Sequence, residues 1–224
     1  RIPLRVHVTR GSIHHDRRGT LWLIANSRLY QTRQSDDTLR EISIITGGPH
    51  SMLEDQQGDM WFSTENAGVY YLPQGNGPPQ RFLVACPASC SLPSDRVSTL
   101  FEDRSGGIWV GFHDASPILI QRDPSGTQIF SFRPNQQDGL RSPLATSLYS
   151  MNDQLLLVGT SGGLQLLDLP DQHFTDAFTK LRPKDVFSVI RDRRQVVRFA
   201  TDKVVAIQRS PHGGISWIVP DHDV

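Results

Sequence analysis

The segment Thr99–Asp123 reads TLFEDRSGGIWVGFHDASPILIQRD. A short apolar run ends on an acidic residue, a Gly-containing turn follows, and a second apolar run carries Trp109. A polar stretch and a third apolar run complete it. The same order recurs at Ser51–Leu72, SMLEDQQGDMWFSTENAGVYYL, and at Ile13–Gln31, IHHDRRGTLWLIANSRLYQ. A chain that repeats itself is read as a repeat before anything else. The shared core is Asp-x-x-Gly-x-apolar-Trp, at Asp16, Gly19 and Trp22, at Asp55, Gly58 and Trp61, and at Asp103, Gly106 and Trp109. A fourth unit aligns through LVGTSGG with Leu157 in the Trp place. A fifth aligns through Asp192, with Gln195 replacing Gly and Arg198 replacing Trp.

Hairpin chemistry explains the shared residues. Asp accepts hydrogen bonds from turn amides, and Gly takes a positive φ. Trp on the second strand buries a large surface between neighbouring units. A ring of Asp residues also invites a reading as a calcium site or as catalytic carboxylates. Turn capping accounts for the pairing with Gly, and the EF-hand spacing is absent, so the Asp residues are taken as caps and no metal is assigned.

Outward from these cores, each unit divides into four short apolar runs separated by turn residues. The expected strands are 12–15, 20–25, 28–32 and 39–45; 51–54, 59–63, 68–72 and 80–84; 97–102, 107–112, 117–122 and 127–132; 146–150, 154–159, 163–168 and 172–178; 187–190, 195–200, 203–208 and 214–219. No convincing amphipathic helix interrupts them. Units of four strands spaced by about 40 to 48 residues fit an all-β propeller of five blades rather than a sandwich. The blades fall at 13–46, 51–85, 97–133, 146–178 and 187–220 within one propeller region, 1–224. Residues 1–12 alternate Ile2, Leu4, Val6 and Val8 with polar neighbours, which marks a half-buried strand of a preceding blade or of a ring closure.

The 224 residues suffice for one large all-β domain, and 37% apolar content with a mean hydropathy of −0.35 fits a soluble chain with a core. A formal net charge of zero argues against nucleic-acid binding. No run reaches the roughly 18 apolar residues of a membrane span, and no signal peptide is visible. The chain starts without Met, as expected of a mature or excised piece. Cys86 and Cys90 lie in a Pro-containing loop and are close enough in sequence for a disulfide; a bonded pair and two free thiols both remain open.

In an up-and-down arrangement, the Asp-x-x-Gly hairpins share one face, and the loops after each second strand share the other with the loops entering each next unit. The hairpins are alike and the opposite loops differ, so recognition is expected on the latter. Glu65, Asn66, Arg96, His113, Asp114, Arg141, Asp202 and Lys203 carry hydrogen-bonding heads there, suited to a sugar or an anion. A propeller enzyme is the competing class. The sialidase-like box has Asp-x-Gly spacing, unlike this chain, and glycosidases need a pair of positioned carboxylates. Glu occurs only at 41, 54, 65 and 102, with Glu54 and Glu102 at equivalent positions. A lyase pairing His113 with Glu65 near a metal has too few polar residues in support. His14 and His15 on an inner strand beside the Asp16 turn read as satisfied polar residues, with a metal role as the alternative. Phosphate-loop, dinucleotide and nucleophile-elbow patterns are absent.

The sequence EDQQGDMWFSTENAGVYYL, the sequence EDRSGGIWVGFHD and the GT-x-GGL of LLLVGTSGGLQLLD resemble the two-component regulator propeller repeat. That resemblance implies a seven-bladed ring, of which this chain would supply part. It also implies an extracytoplasmic, periplasmic sensor region of a bacterial membrane receptor, whose output module is a histidine kinase or diguanylate cyclase. The expected partners are a small molecule or oligosaccharide, the remaining blades and signalling domains, and a homodimer partner. No catalytic residue and no cofactor are expected in this segment. A protein-interaction propeller without a small ligand is the third reading.

Overall fold

A computed structural model describes residues 11–33, 39–75, 77–85, 91–123, 126–131, 140, 142, 144–152, 154–171, 173–176, 186–191, 197–201, 205–209 and 215–218. They form five antiparallel four-stranded sheets, each ordered as a simple meander. The first holds β1 (Gly11–His15), β2 (Thr20–Ala25), β3 (Arg28–Arg33) and β4 (Arg40–Ile44). The second holds β5 (Pro49–Glu54), β6 (Met60–Thr64), β7 (Val69–Leu72) and β8 (Gln80–Phe82). The third holds β9 (Val97–Glu102), β10 (Ile108–Phe112), β11 (Ile118–Asp123) and β12 (Gly126–Ser131). The fourth holds β13 (Ala145–Ser150), β14 (Leu155–Thr160), β15 (Gly163–Asp168) and β16 (His173–Asp176). The fifth holds β17 (Val186–Arg191), β18 (Val197–Thr201), β19 (Val205–Arg209) and β20 (Ile215–Ile218). Each observed strand lies within about two residues of the apolar run that predicts it. Among the described residues no helix is long and apolar enough to cross a membrane.

Register follows the repeat. Trp22, Trp61 and Trp109 face His14, Leu53 and Phe101 across the first strand pair. Leu157 faces Tyr149 and Arg198 faces Ile190 in the same places, so the degenerate units keep the frame after losing the aromatic residue.

The first strands of successive sheets lie side by side, and the core is divided among the seams between sheets. Trp22, Ile24 and Leu29 of the first sheet pack on Met60, Phe62 and Tyr70 of the second. Trp61 and Tyr71 pack on Ile108, Val110 and Ile120 of the third. Trp109 and Leu119 pack on Leu148, Leu156 and Val158 of the fourth. Alternation makes this possible, because successive side chains of a strand point to opposite faces and each sheet thereby feeds two seams. The three Trp side chains are almost fully buried, as blade packing requires.

Two small devices hold the inner strands together. The ladder between first and second strands slips by one residue in the second to fifth sheets. Such a bulge re-aims a side chain. Ser98 and Thr146, at the slip in their sheets, donate their hydroxyls to the carbonyls of Ala145 and Val186, which open the next inner strand. Gly111 and Gly159 leave room for that approach. A Cβ on Gly111 would lie 3.2 Å from Ala145 Cβ, and one on Gly159 would lie 2.8 Å from a Val186 methyl.

Candidate functional site: two faces of the sheets

The β1–β2, β5–β6 and β9–β10 hairpins share one end of the sheets, and each is built by one carboxylate. Asp16 Oδ1 accepts from the amides of Arg18 and Thr20 at 2.9 and 2.7 Å, and Oδ2 accepts from Trp22 Nε1 at 2.8 Å. Asp55 accepts from Gln57, Asp59 and Trp61 Nε1 at 3.0, 2.8 and 2.8 Å. Asp103 accepts from Ser105, Gly107 and Trp109 Nε1 at 2.9, 3.0 and 2.9 Å. Gly19, Gly58 and Gly106 close the turns with φ of 81°, 80° and 83°. Burial would raise the pKa of Asp16, and the donated hydrogen bonds, led by Trp22, outweigh it and hold the group below the ordinary carboxylate value. Both oxygens of each Asp are therefore engaged within its own hairpin, leaving them as structural caps. The Trp indole bond is the part that sequence reasoning missed. The constant six-residue offset from Asp to Trp carried that signal.

Adjacent hairpins are stitched by the acidic residue before each Asp. Glu54 accepts the amide of Arg17 at 3.0 Å, with Arg17 Nε at 3.6 Å and His14 Nε2 at 3.5 Å. Glu102 accepts the amide of Gln56 at 2.8 Å, while Gln56 Nε2 donates to the Asp103 carbonyl at 3.2 Å. Burial raises the pKa of Glu102, and the nearby Asp55 and Asp103 charges add to that against the Gln56 bond.

A charged cluster in the second-to-third seam was not anticipated from sequence. Asp59 accepts from Tyr71 Oη at 2.6 Å, Arg122 Nη1 at 2.6 Å and the Gln74 amide at 2.7 Å. The Arg122 guanidinium lies 4.0 Å from the Tyr71 ring centroid and 5.8 Å from that of Trp61. Burial opposes ionisation of Asp59, and the bonds from Tyr71 and Arg122 overcome it and hold its pKa low. Tyr71 is pushed well above the usual phenol range, first by burial and then by its bond to Asp59. Asp59 is the residue after the hairpin Gly, and its equivalents are Thr20 and Gly107, so repetition gave no hint of it.

At the opposite end the sheets close in more than one way. The β2–β3 turn is Asn26-Ser27, with φ of 50° and 62°. Positive φ at both positions matches the two-residue hairpin turn whose twist suits the strands. The β6–β7 loop is held by Thr64, whose hydroxyl donates to the Gly68 carbonyl at 2.7 Å and accepts from the Ala67 amide at 3.0 Å. Thr160 does the same in the β14–β15 turn, toward Gly163 and Gly162. In the third sheet Phe112 takes the Thr place, and the His113 amide donates to the Arg96 carbonyl at 2.9 Å, as the Glu65 amide does to Gly48 in the second sheet.

The structure sorts the candidate recognition residues by loop. Glu65 and Asn66 are exposed, and their amides donate to the carbonyls of Gly48 and Gly47 at 3.1 Å each, which joins the loop entering the second sheet to the loop after β6. Arg96 and Asp114 meet as an exposed pair at 3.4 Å, Nη1 to Oδ2, a contact worth little to stability. His113 is half-buried on the same loop. Arg141, Asp202 and Lys203, and the pair Cys86 and Cys90, lie outside the described residues. Among the described residues no three His, Cys, Asp or Glu side chains converge as metal ligands do.

The family described as two component regulator propeller matches residues 43–66 and 91–114. Both matches contain a second-strand Trp and end in the loop that follows it, at Glu65-Asn66 and His113-Asp114. No curated protein matches the chain. The extracellular domain of a hybrid two component system from B. thetaiotaomicron superposes with a TM-score of 0.72 at 18% identity, over 94% of this chain and 30% of that one. The extracellular domain of a one component system from the same organism gives 0.69 at 14% identity, over 96% and 28%. A virginiamycin B lyase from Staphylococcus aureus, catalytically inactive and solved with quinupristin, gives 0.62 at 12% identity, over 94% and 70%. The chain thus spans 30% or less of the two extracellular domains. It is a β-propeller segment of five four-stranded sheets, two stretches of which match the two component regulator propeller family.

Proposed function

We propose that the chain is part of the extracytoplasmic sensing propeller of a bacterial signal-transduction receptor. In this reading it binds a small molecule or oligosaccharide at the loop face and relays binding by a conformational or dimer shift. The observation that carries this reading is the contrast between the two faces. The hairpins commit their carboxylates to their own turns. The loop face presents Glu65, Asn66, Arg96 and Asp114 to solvent on the second and third sheets, whose loops differ in sequence and only one of which carries a threonine staple. A rigid scaffold with variable loops at one end is the usual arrangement for recognition. A ligand shifts the receptor only through unequal affinity for its two states.

The remaining blades, needed to complete a seven-bladed ring, and the output module belong to the parent receptor. This segment has no catalytic role. The test is a melting-temperature screen of the protein against oligosaccharides and sugar acids, repeated with Glu65→Ala and with Asp114→Ala. A ligand that raises the melting temperature of the parent and not of both variants is the expected result. Hydrolysis or lytic cleavage of any such compound, abolished by Glu65→Ala or His113→Ala, would replace the sensor with a propeller enzyme. A shift given by a partner protein and by no glycan would favour an interaction propeller.

A further inference from the structure

We infer that the hairpin end between the third and fourth sheets binds the carboxylate of a small acidic solute. The Arg104 amide and guanidinium hold it, in the place that a glutamate fills in the two preceding seams.

The repeat supplies the template. Glu54, at the end of β5, accepts the amide of Arg17, the residue after the first hairpin Asp, at 3.0 Å. The Arg17 side chain adds its Nε at 3.6 Å from the same carboxylate. Glu102, at the end of β9, accepts the amide of Gln56, the residue after the second hairpin Asp, at 2.8 Å. Register identifies the next member of the series. Glu54 faces Met60, Glu102 faces Ile108 and Ser150 faces Leu156 across the first strand pair. Ser150 therefore stands where a third glutamate would.

The rest of the setting is retained. β9 and β13 lie side by side as β5 and β9 do, and the Phe101 and Tyr149 rings meet between them at 6.2 Å. Arg104 follows Asp103 as Arg17 follows Asp16, so amide and cation recur together. Arg17 spends its side chain on Glu54 and on the carbonyls of Asp55 and Gln56. Arg104 is exposed, and among the described residues neither its amide nor its guanidinium meets an acceptor. Ser150 is buried, and its hydroxyl donates to the Asn152 carbonyl of its own hairpin at 2.9 Å. The Asp103 carboxylate is likewise committed to its own turn and to Trp109. Serine is too short to reach as Glu54 and Glu102 do, which leaves the third amide to a carboxylate from outside the hairpin. Such a group gains charge-assisted hydrogen bonds that a neutral sugar cannot match.

The experiment uses the full-length polypeptide that contains this chain. Its arginines are labelled with phenylglyoxal and followed peptide by peptide by mass spectrometry. The probe is glucuronate, with glucose as the uncharged control and chloride at matched ionic strength. At ten times its half-effect concentration, glucuronate is expected to slow labelling of Arg104 by about 10-fold, while glucose leaves the rate unchanged. Ser150→Glu brings a tethered carboxylate to the same place. It should slow Arg104 labelling with no solute added and abolish the response to glucuronate. No protection by glucuronate, or equal protection by glucose, would overturn the inference. Equal protection by chloride reduces the effect to screening and overturns it too. An Arg104 that labels as slowly as Arg17 before any solute is added gives the place to a carboxylate of the polypeptide itself, and the solute site fails. Protection measured on the unsubstituted polypeptide decides these outcomes even where Ser150→Glu does not fold. Glu65→Ala and Asp114→Ala, at the loop end, should leave every rate unchanged, so the sensing reading stands or falls separately.

Discussion

The hairpin end and the loop end of the same sheets solve the same problem, reversing the chain, by opposite means. At the hairpin end one carboxylate repeats one geometry three times, with two amides and an indole N–H at 2.7–3.0 Å. At the loop end no single device serves all sheets: the first has a two-residue turn, the second and fourth a threonine staple, and the second and third a borrowed carbonyl. Uniformity at one end follows from a fixed packing demand, since each Trp must reach the next sheet. Diversity at the other follows from its absence. Substitutions should accordingly divide into those that unfold and those that only alter recognition.

The largest effect is expected at Trp61. Its side chain is fully buried between the second and third sheets. Trp61→Ala leaves a cavity and strips a donor from Asp55, at a cost of about 3–5 kcal/mol. The urea midpoint reports it. A loss below about 1 kcal/mol would mean that the seam collapses around the gap, and the hairpin end would not be the rigid one.

Next comes Arg122→Leu, which leaves Asp59 in the same seam without its cation. Removing one partner of a buried pair costs about 3 kcal/mol, and Asp59→Asn in the same background should recover part of it. The pH dependence has a defined sign. The folded pKa of Asp59 lies below its unfolded value. Its contribution is therefore complete at neutral pH and fades as pH drops from about 4 through the folded value. Arg122→Leu should weaken this acid-side loss in stability curves taken between about pH 5 and pH 3. An unchanged acid limb would show that other carboxylates dominate it.

Asp55→Ala follows, at about 2 kcal/mol, since the amides of Gln57 and Asp59 and the Trp61 indole lose their acceptor together. Asp114→Ala, the loop-end counterpart, breaks only an exposed pair. It should move stability by less than about 0.5 kcal/mol. If Asp114→Ala proved as costly as Asp55→Ala, the contrast between the two ends would fail.

What the sequence disclosed follows the same division. Asp, Gly and Trp recur because each seam asks the same of them, so blade count, strand order and the burial of Trp22, Trp61 and Trp109 were legible. Leu157 and Arg198 could be placed in register after the aromatic residue was lost, because strand pairing keeps the period when the side chain changes. The Asp59–Tyr71–Arg122 cluster was hidden because it occurs in one seam and joins residues 63 positions apart. The pairing of Arg96 with Asp114 was likewise beyond pattern reading, since loop geometry and not periodicity brings those two together. A ligand class for the loop face was not legible either, because its residues differ from unit to unit and no repeat pattern constrains them.

The smallest effect separates charge from hydrogen bonding at the hairpin end. Glu102 accepts the Gln56 amide at 2.8 Å, yet burial and the neighbouring Asp55 and Asp103 raise its pKa. A carboxyl whose folded pKa exceeds its unfolded one binds its proton more tightly in the native state. Its ionised form therefore opposes folding at neutral pH, and the opposition is relieved as pH falls through the folded value. Glu102→Gln keeps an acceptor and removes the charge. Stability at pH 7 should be unchanged within about 0.5 kcal/mol or slightly higher, whereas Glu102→Ala should lose about 1 kcal/mol with the bridge. The gap between the two variants then measures the hydrogen bond alone. If Gln behaved as Ala does, the negative charge itself would hold the hairpins together, and the acidic residues before Asp55 and Asp103 would act as counter-charges to Arg17 and its neighbours rather than as acceptors.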